Sequence, residues 1–106
     1  METLKLVFVT HSSKDEAIKL AKGIVENKLA ACANILPDVT SVYAWQGKLN
    51  VDPEVLMVIK CPTSRVAELQ KYVIANHPYD TPEFVVVDIS SVSEKYLDWA
   101  IKSCRD

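Results

Sequence analysis

Nothing in this sequence forms a block of like charge: 12 basic and 14 acidic side chains are interspersed along 106 residues and leave a formal charge of -2. A nucleic-acid groove or an anionic membrane surface calls for a basic stripe, so neither is expected as a partner. Long apolar runs are missing too. The longest fall far short of the roughly 20 residues a spanning helix needs, and Met1-Glu2-Thr3-Leu4-Lys5 shows no basic stretch leading into an apolar one. The expectation is a protein that stays where it is made, in the cytoplasm, without membrane insertion.

Cysteine is scarce, and its pattern is unpaired. Cys32, Cys61 and Cys104 are odd in number, widely spaced and form no C-x-x-C, which gives no support to a zinc knuckle or a redox dithiol. Free thiols follow, with Cys32 among Ala30, Ala31 and Ala33 expected as a small buried hydrophobe and Cys104, near the C-terminus, expected as exposed. No linker, repeat or low-complexity stretch interrupts the chain, so residues 1-106 read as one domain. A chain of this length buries only about two thirds of its unfolded surface. Oligomerisation is a natural way to cover more.

What is present is a regular alternation of strand and helix patterns. Leu4 to Thr10 is rich in β-branched and aromatic residues and reads as a strand mostly buried on both faces. Ser13-Lys14-Asp15-Glu16 fits a capping box, followed by Ala17, Leu20, Ala21, Ile24 and Val25 at helical spacing. Leu29 to Trp45 is strand-like, with a bulge or kink at Pro37-Asp38, since proline cannot donate to a ladder. Gln46-Gly47 supplies the turn. The return strand runs to Ile59, its distal part irregular around Asn50, Asp52 and Pro53. Thr63 is placed as the cap of a second helix with Val66, Leu69, Val73 and Ile74 on its apolar face. Glu83 to Ser90 suits a central strand, and Ser93 caps a third helix holding Tyr96, Leu97, Ala100 and Ile101.

The order βαββαβα, with right-handed crossovers, predicts an α+β fold: a ferredoxin-like βαββαβ sandwich with an antiparallel sheet, followed by a C-terminal helix. The β2-β3 hairpin is too long for that core, because strands well past ten residues exceed the usual length. Its far half should protrude and find cover on another subunit.

The densest chemistry lies in His77-Pro78-Tyr79-Asp80-Thr81-Pro82-Glu83. Two prolines pin this connector, and the helix before it should stop near Asn76. His77 is a borderline ligand suited to copper or zinc, with Asp80 and Glu83 as harder oxygen donors nearby. One imidazole with carboxylates is an incomplete site, and the alternative for His77 is a ring packed at an interface near a helix C-terminus. His11, after the first strand, reads as a solvated loop histidine. Tyr43, Trp45, Tyr79, Tyr96 and Trp99 carry polar handles on apolar rings, as interface residues do. They fit subunit contacts, or an inter-subunit cleft with Lys60, His77 and Glu83 at its mouth.

Four segments in register carry a family resemblance: Lys28-Leu29-Ala30-Ala31-Cys32-Ala33-Asn34-Ile35, Ser41-Val42-Tyr43-Ala44-Trp45-Gln46-Gly47-Lys48, the His77 to Glu83 connector, and Tyr96-Leu97-Asp98-Trp99. Together they resemble the CutA divalent cation tolerance family across nearly the whole chain. The resemblance implies a ferredoxin-like subunit in a tight homotrimer, with long hairpins extending sheets between neighbours much as in PII-like signalling proteins. It implies tolerance of copper and other divalent cations, weak copper or divalent metal binding, and no obligatory cofactor. Ligands proposed for some family members match Val9, Asn76 and His77 here, so only His77 carries over.

Three function classes remain distinct. An ion-responsive or signalling module, not an enzyme, is what the resemblance favours. A structural adaptor or assembly protein would bind a protein partner or small molecule at inter-subunit clefts. A small acylphosphatase-like hydrolase would need a backbone anion cradle and an arginine after the first strand, yet Thr10-His11-Ser12-Ser13-Lys14 contains neither glycine nor arginine.

Overall fold

The computed structural model describes residues 2-105. Its elements are β1 (Leu4–His11), α1 (Lys14–Glu26), β2 (Cys32–Trp45), β3 (Lys48–Pro62), a 3-10 turn at Thr63–Arg65, α2 (Val66–Asn76), β4 (Val85–Asp88) and α3 (Glu94–Ser103). The sheet order is β2-β3-β1-β4 with every neighbouring pair antiparallel. That is the ferredoxin-like α+β arrangement expected from the element order.

Alternation decides which face of the sheet is covered. Val7 and Val9 of β1, with Val55, Met57, Ile59 and Cys61 of β3, point to one side and pack against Ala17, Leu20, Ala21 and Ile24 of α1 and Leu69 and Val73 of α2. Leu6 and Phe8 take the opposite side, where they are half-buried. Beyond Leu4, β1 is therefore fully buried on one face and half-buried on the other, because α1 and α2 back just one side of the sheet. Val25 and Ile74, grouped by spacing with the apolar faces of α1 and α2, fall outside the contact and are 41% and 52% exposed. A second, smaller cluster joins Leu4, Ala31, Ala100 and Cys104, so α3 closes the end of the sheet and Cys104 is buried rather than exposed.

Local chemistry sets the boundaries. Ser13 accepts the Glu16 N–H at 3.3 Å and caps α1. The helix ends in a Schellman motif, with Leu29 N–H donating to the Ile24 carbonyl and Lys28 N–H to that of Val25, each at 3.0 Å, around Lys28 at φ 59°. Gly23 allows α1 and α2 to approach: a Cβ there would lie 2.1 Å from the Tyr72 hydroxyl. Thr63 does not cap α2, since its hydroxyl donates to the Thr3 carbonyl at 3.0 Å and the 3-10 turn comes first. Ser93 stands at the N-cap of α3 without a side-chain cap bond.

The hairpin is more regular than its composition suggests. β3 pairs with β2 without a break from Lys48 to Glu54, and Gln46 and Gly47, both with positive φ, form the two-residue turn. Pro53 is tolerated because it lies beyond Val55, where pairing with β1 ends, so it owes no bond on that side. The one irregularity is at Pro37-Asp38: from Leu36 to Val39, β2 advances three residues while β3 advances two, from Leu56 to Glu54. β4 is short and lies at the sheet edge rather than centrally, with Val85 and Val86 47% and 42% exposed. Cys32 is half-buried.

Candidate functional site

The bulge at Pro37-Asp38 builds one wall of a groove. An extra residue inverts the alternation, so Ser41, Tyr43 and Trp45 take the sheet face that Asn34 and Leu36 held before it. Glu54, opposite Val39 on β3, shares that face. The other wall is the two-proline connector after α2. The groove between them has a volume of about 690 Å³, with Thr10 at its base, Tyr43, Trp45 and Glu54 on the hairpin side, and Tyr79, Asp80, Thr81, Pro82 and Glu83 on the connector side.

Behind the connector lies a ring stack. His11 and His77 have centroids 4.5 Å apart, and His77 meets Tyr79 edge-on at 4.6 Å. His11 is 2% exposed, not a solvated loop residue, because it continues the Val7, Val9 alternation onto the covered face. That parity was visible in the sequence. Tyr79 N–H donates to His77 Nδ1 at 3.1 Å, so the ring proton sits on Nε2, which donates to the Thr10 carbonyl at 2.8 Å. Ser12 N–H likewise donates to His11 Nδ1 at 2.9 Å. Burial, then the neighbouring His77, hold the His11 pKa below its ordinary value, with Glu16 and Glu54 opposing.

The groove's carboxylates are held differently. Tyr79 donates to Glu54 Oε2 at 2.7 Å, and burial together with that bond pushes the phenol up to about 12. Burial and the negative charge of Glu54 raise the Glu83 pKa. Tyr43 donates to Asp52 Oδ2 at 2.5 Å, and that bond raises its pKa.

The structure brings Tyr43, Trp45, Tyr79, Asp80 and Glu83 to one groove, with His77 packed behind Tyr79. It does not bring Lys60, Tyr96 or Trp99 there within the chain. Lys60 pairs with Cys32 at the other end of the hairpin and donates to Asn34 Oδ1. Tyr96 and Trp99 pack on each other on α3, 5.5 Å apart. Among the described residues, no group of three or more His, Cys, Asp or Glu side chains converges as a metal cage. Both His77 nitrogens are already hydrogen-bonded, so ligation through either would break one of those bonds. Glu54 was not legible as a site residue, because only the hairpin register carries it to the connector.

Comparison with known proteins places this geometry among relatives. A family model described as CutA1 divalent ion tolerance protein matches residues 5–103. Protein CutA, chloroplastic, of Arabidopsis thaliana is 45% identical over 101 residues, which cover 95% of this chain and 56% of the plant protein. The divalent-cation tolerance protein CutA of Thermus thermophilus is 42% identical over 95 residues, covering 90% of this chain and 92% of that one. The crystal structure of divalent ion tolerance protein CutA1 from Ehrlichia chaffeensis superposes with a TM-score of 0.94 at 30% identity, covering 99% of this chain and 98% of that one. The chain thus spans only a little over half the length of the plant relative but nearly all of the bacterial ones.

Proposed function

We propose a function from one premise: the chain belongs to the CutA1 divalent ion tolerance protein family. It works as a homotrimeric, non-catalytic, cation-responsive binding module of the cytoplasm. The observation that carries this reading is the groove, into which Glu54, Asp80 and Glu83 bring three carboxylates and no Lys, Arg or His side chain. Trimerisation is supported by the hairpin, whose Val42, Leu49 and Val51 are 65%, 77% and 61% exposed in the single chain. A neighbour's sheet covers such a surface. No described helix is long and apolar enough to cross a membrane.

Copper and other divalent ions bind weakly in this reading. Val9 and Asn76 supply neither a thiolate nor an imidazole, and both ring nitrogens of His77 are engaged, leaving the carboxylates as hard oxygen donors. Native mass spectrometry and calorimetry with Zn(II) and Cu(II) test it. The expected results are a trimer, micromolar or weaker metal binding, loss of binding in Glu83→Gln and little change in His77→Ala. A monomer, or metal binding unaffected by Glu83→Gln and lost in His77→Ala, would overturn the respective part. The second reading, a structural adaptor, is favoured by Tyr96 and Trp99, a ring pair on α3 that stays 37% and 48% exposed.

A further inference from the structure

The groove is far larger than a metal ion needs. A water molecule occupies about 30 Å³ of liquid, whereas this concavity measures about 690 Å³. Its walls are also unsuited to a strongly hydrated ion alone: Tyr43, Trp45 and Tyr79 present rings, and Pro82 adds an apolar ridge. Rings have negative faces and attract organic cations, whose charge is carried on an apolar body. A methylene chain gains from the same surfaces, because apolar area leaves water as it is covered. An aliphatic cation therefore uses both kinds of wall, and a bare metal ion only one.

Charge separates an amine from other organic ligands. The lining holds three carboxylates with no basic side chain to offset them, so an anion is repelled and a neutral molecule leaves the carboxylates unanswered. An ammonium head supplies three N–H donors, matched to carboxylate oxygens. The Tyr79 hydroxyl already fixes Glu54 at 2.7 Å, so that carboxylate is preoriented rather than free to swing.

We infer that this groove binds a small aliphatic amine cation, best a diamine, with ammonium heads on Glu54, Asp80 and Glu83 and its methylene chain against Tyr43, Trp45 and Pro82. The inference rests on the reading of the groove as the ligand site of a cation-responsive module, and narrows its ligand class.

Trp45 is the natural reporter, since the only other tryptophan, Trp99, lies on α3 away from the groove. The experiment uses the intact assembly of Trp99→Phe and follows Trp45 fluorescence with 1,4-diaminobutane, its neutral isostere 1,4-butanediol and Zn(II), at constant ionic strength. Expected is saturable binding of the diamine at least tenfold tighter than the diol. Glu54→Gln and Glu83→Gln should each weaken it at least fivefold, while Asp88→Asn, on β4 outside the groove, should not. Circular dichroism and light scattering confirm that each variant folds and assembles. Equal binding of diamine and diol, or diamine binding untouched by both glutamine variants, overturns the inference. So does Zn(II) binding in the groove without diamine binding, which leaves the cation-responsive reading standing. Binding of neither cation overturns both.

Discussion

β3 passes through two environments, and they do not obey the same rules. From Val55 to Pro62 it lies between β2 and β1 under two helices, and Met57, Ile59 and Cys61 are fully buried. From Lys48 to Glu54 it has only β2 beside it, and Leu49 and Val51 stand 77% and 61% exposed. One strand and one apolar alternation thus give a finished core in one half and a surface awaiting cover in the other. The base has a core of its own; the hairpin beyond Val55 has none, and a two-stranded ribbon alone is marginal in water.

Core truncation gives the largest difference between the halves. Met57→Ala should destabilise the chain by about 2–5 kcal/mol, through lost transfer energy and a cavity, while Leu49→Ala should act mainly on assembly. Denaturant melts at two protein concentrations separate the two effects: the first loss should be independent of concentration and the second dependent on it. If Leu49→Ala lowered stability as much as Met57→Ala without a concentration dependence, the halves would not differ as described.

A charge on the hairpin sharpens the same contrast. Val51→Asp should cost several kcal/mol of association, since an unpaired carboxylate in a dry interface is expensive. Light scattering at low micromolar concentration should then find subunits, with circular dichroism showing the base still folded. A full-mass assembly would remove Val51 from the interface.

Helix spacing within the base is a smaller lever. Gly23→Ala should cost about 1–2 kcal/mol, because its Cβ meets the Tyr72 hydroxyl and the α1-α2 contact must give way. Tyr72→Phe in the same chain should restore most of the loss. A thermal melt of the double variant no better than that of Gly23→Ala would place the strain in the helix backbone instead.

The smallest effect is confined to a pH window. Because burial depresses the His11 pKa in the folded chain, its stabilising contribution is present above the ordinary histidine value near 6.5 and fades as pH falls through the lower folded value. Melting temperature should therefore fall on acidification from pH 7 to 5 by more in the wild type than in His11→Phe. Parallel curves would mean that the His11-His77 stack carries no such linkage.

The groove joins residues that are legible in the sequence to others that are not. Tyr43, Trp45, Tyr79, Asp80 and Glu83, which line it, stand out in the sequence because polar aromatics and two prolines concentrate in short segments, and the bulge is legible because Pro37 cannot serve a central ladder. The end of β1 reads as a loop in the sequence, but the strand continues through His11, whose parity with Val7 and Val9 puts it inside. Nearness to the C-terminus suggests exposure for Cys104, whereas α3 folds it against Leu4 and Ala31.

By itself the sequence determined the order of elements, the antiparallel α+β sandwich and the length of the hairpin, since periodicity, caps and turn residues act over a few positions of chain. Only the tertiary structure decided that Glu54 meets Tyr79, that His11 stacks on His77, and that Lys60 and the α3 rings lie away from the groove. Those relations join residues far apart in sequence. They depend on strand register and on one inserted bulge residue, a shift of which turns every later side chain to the other face.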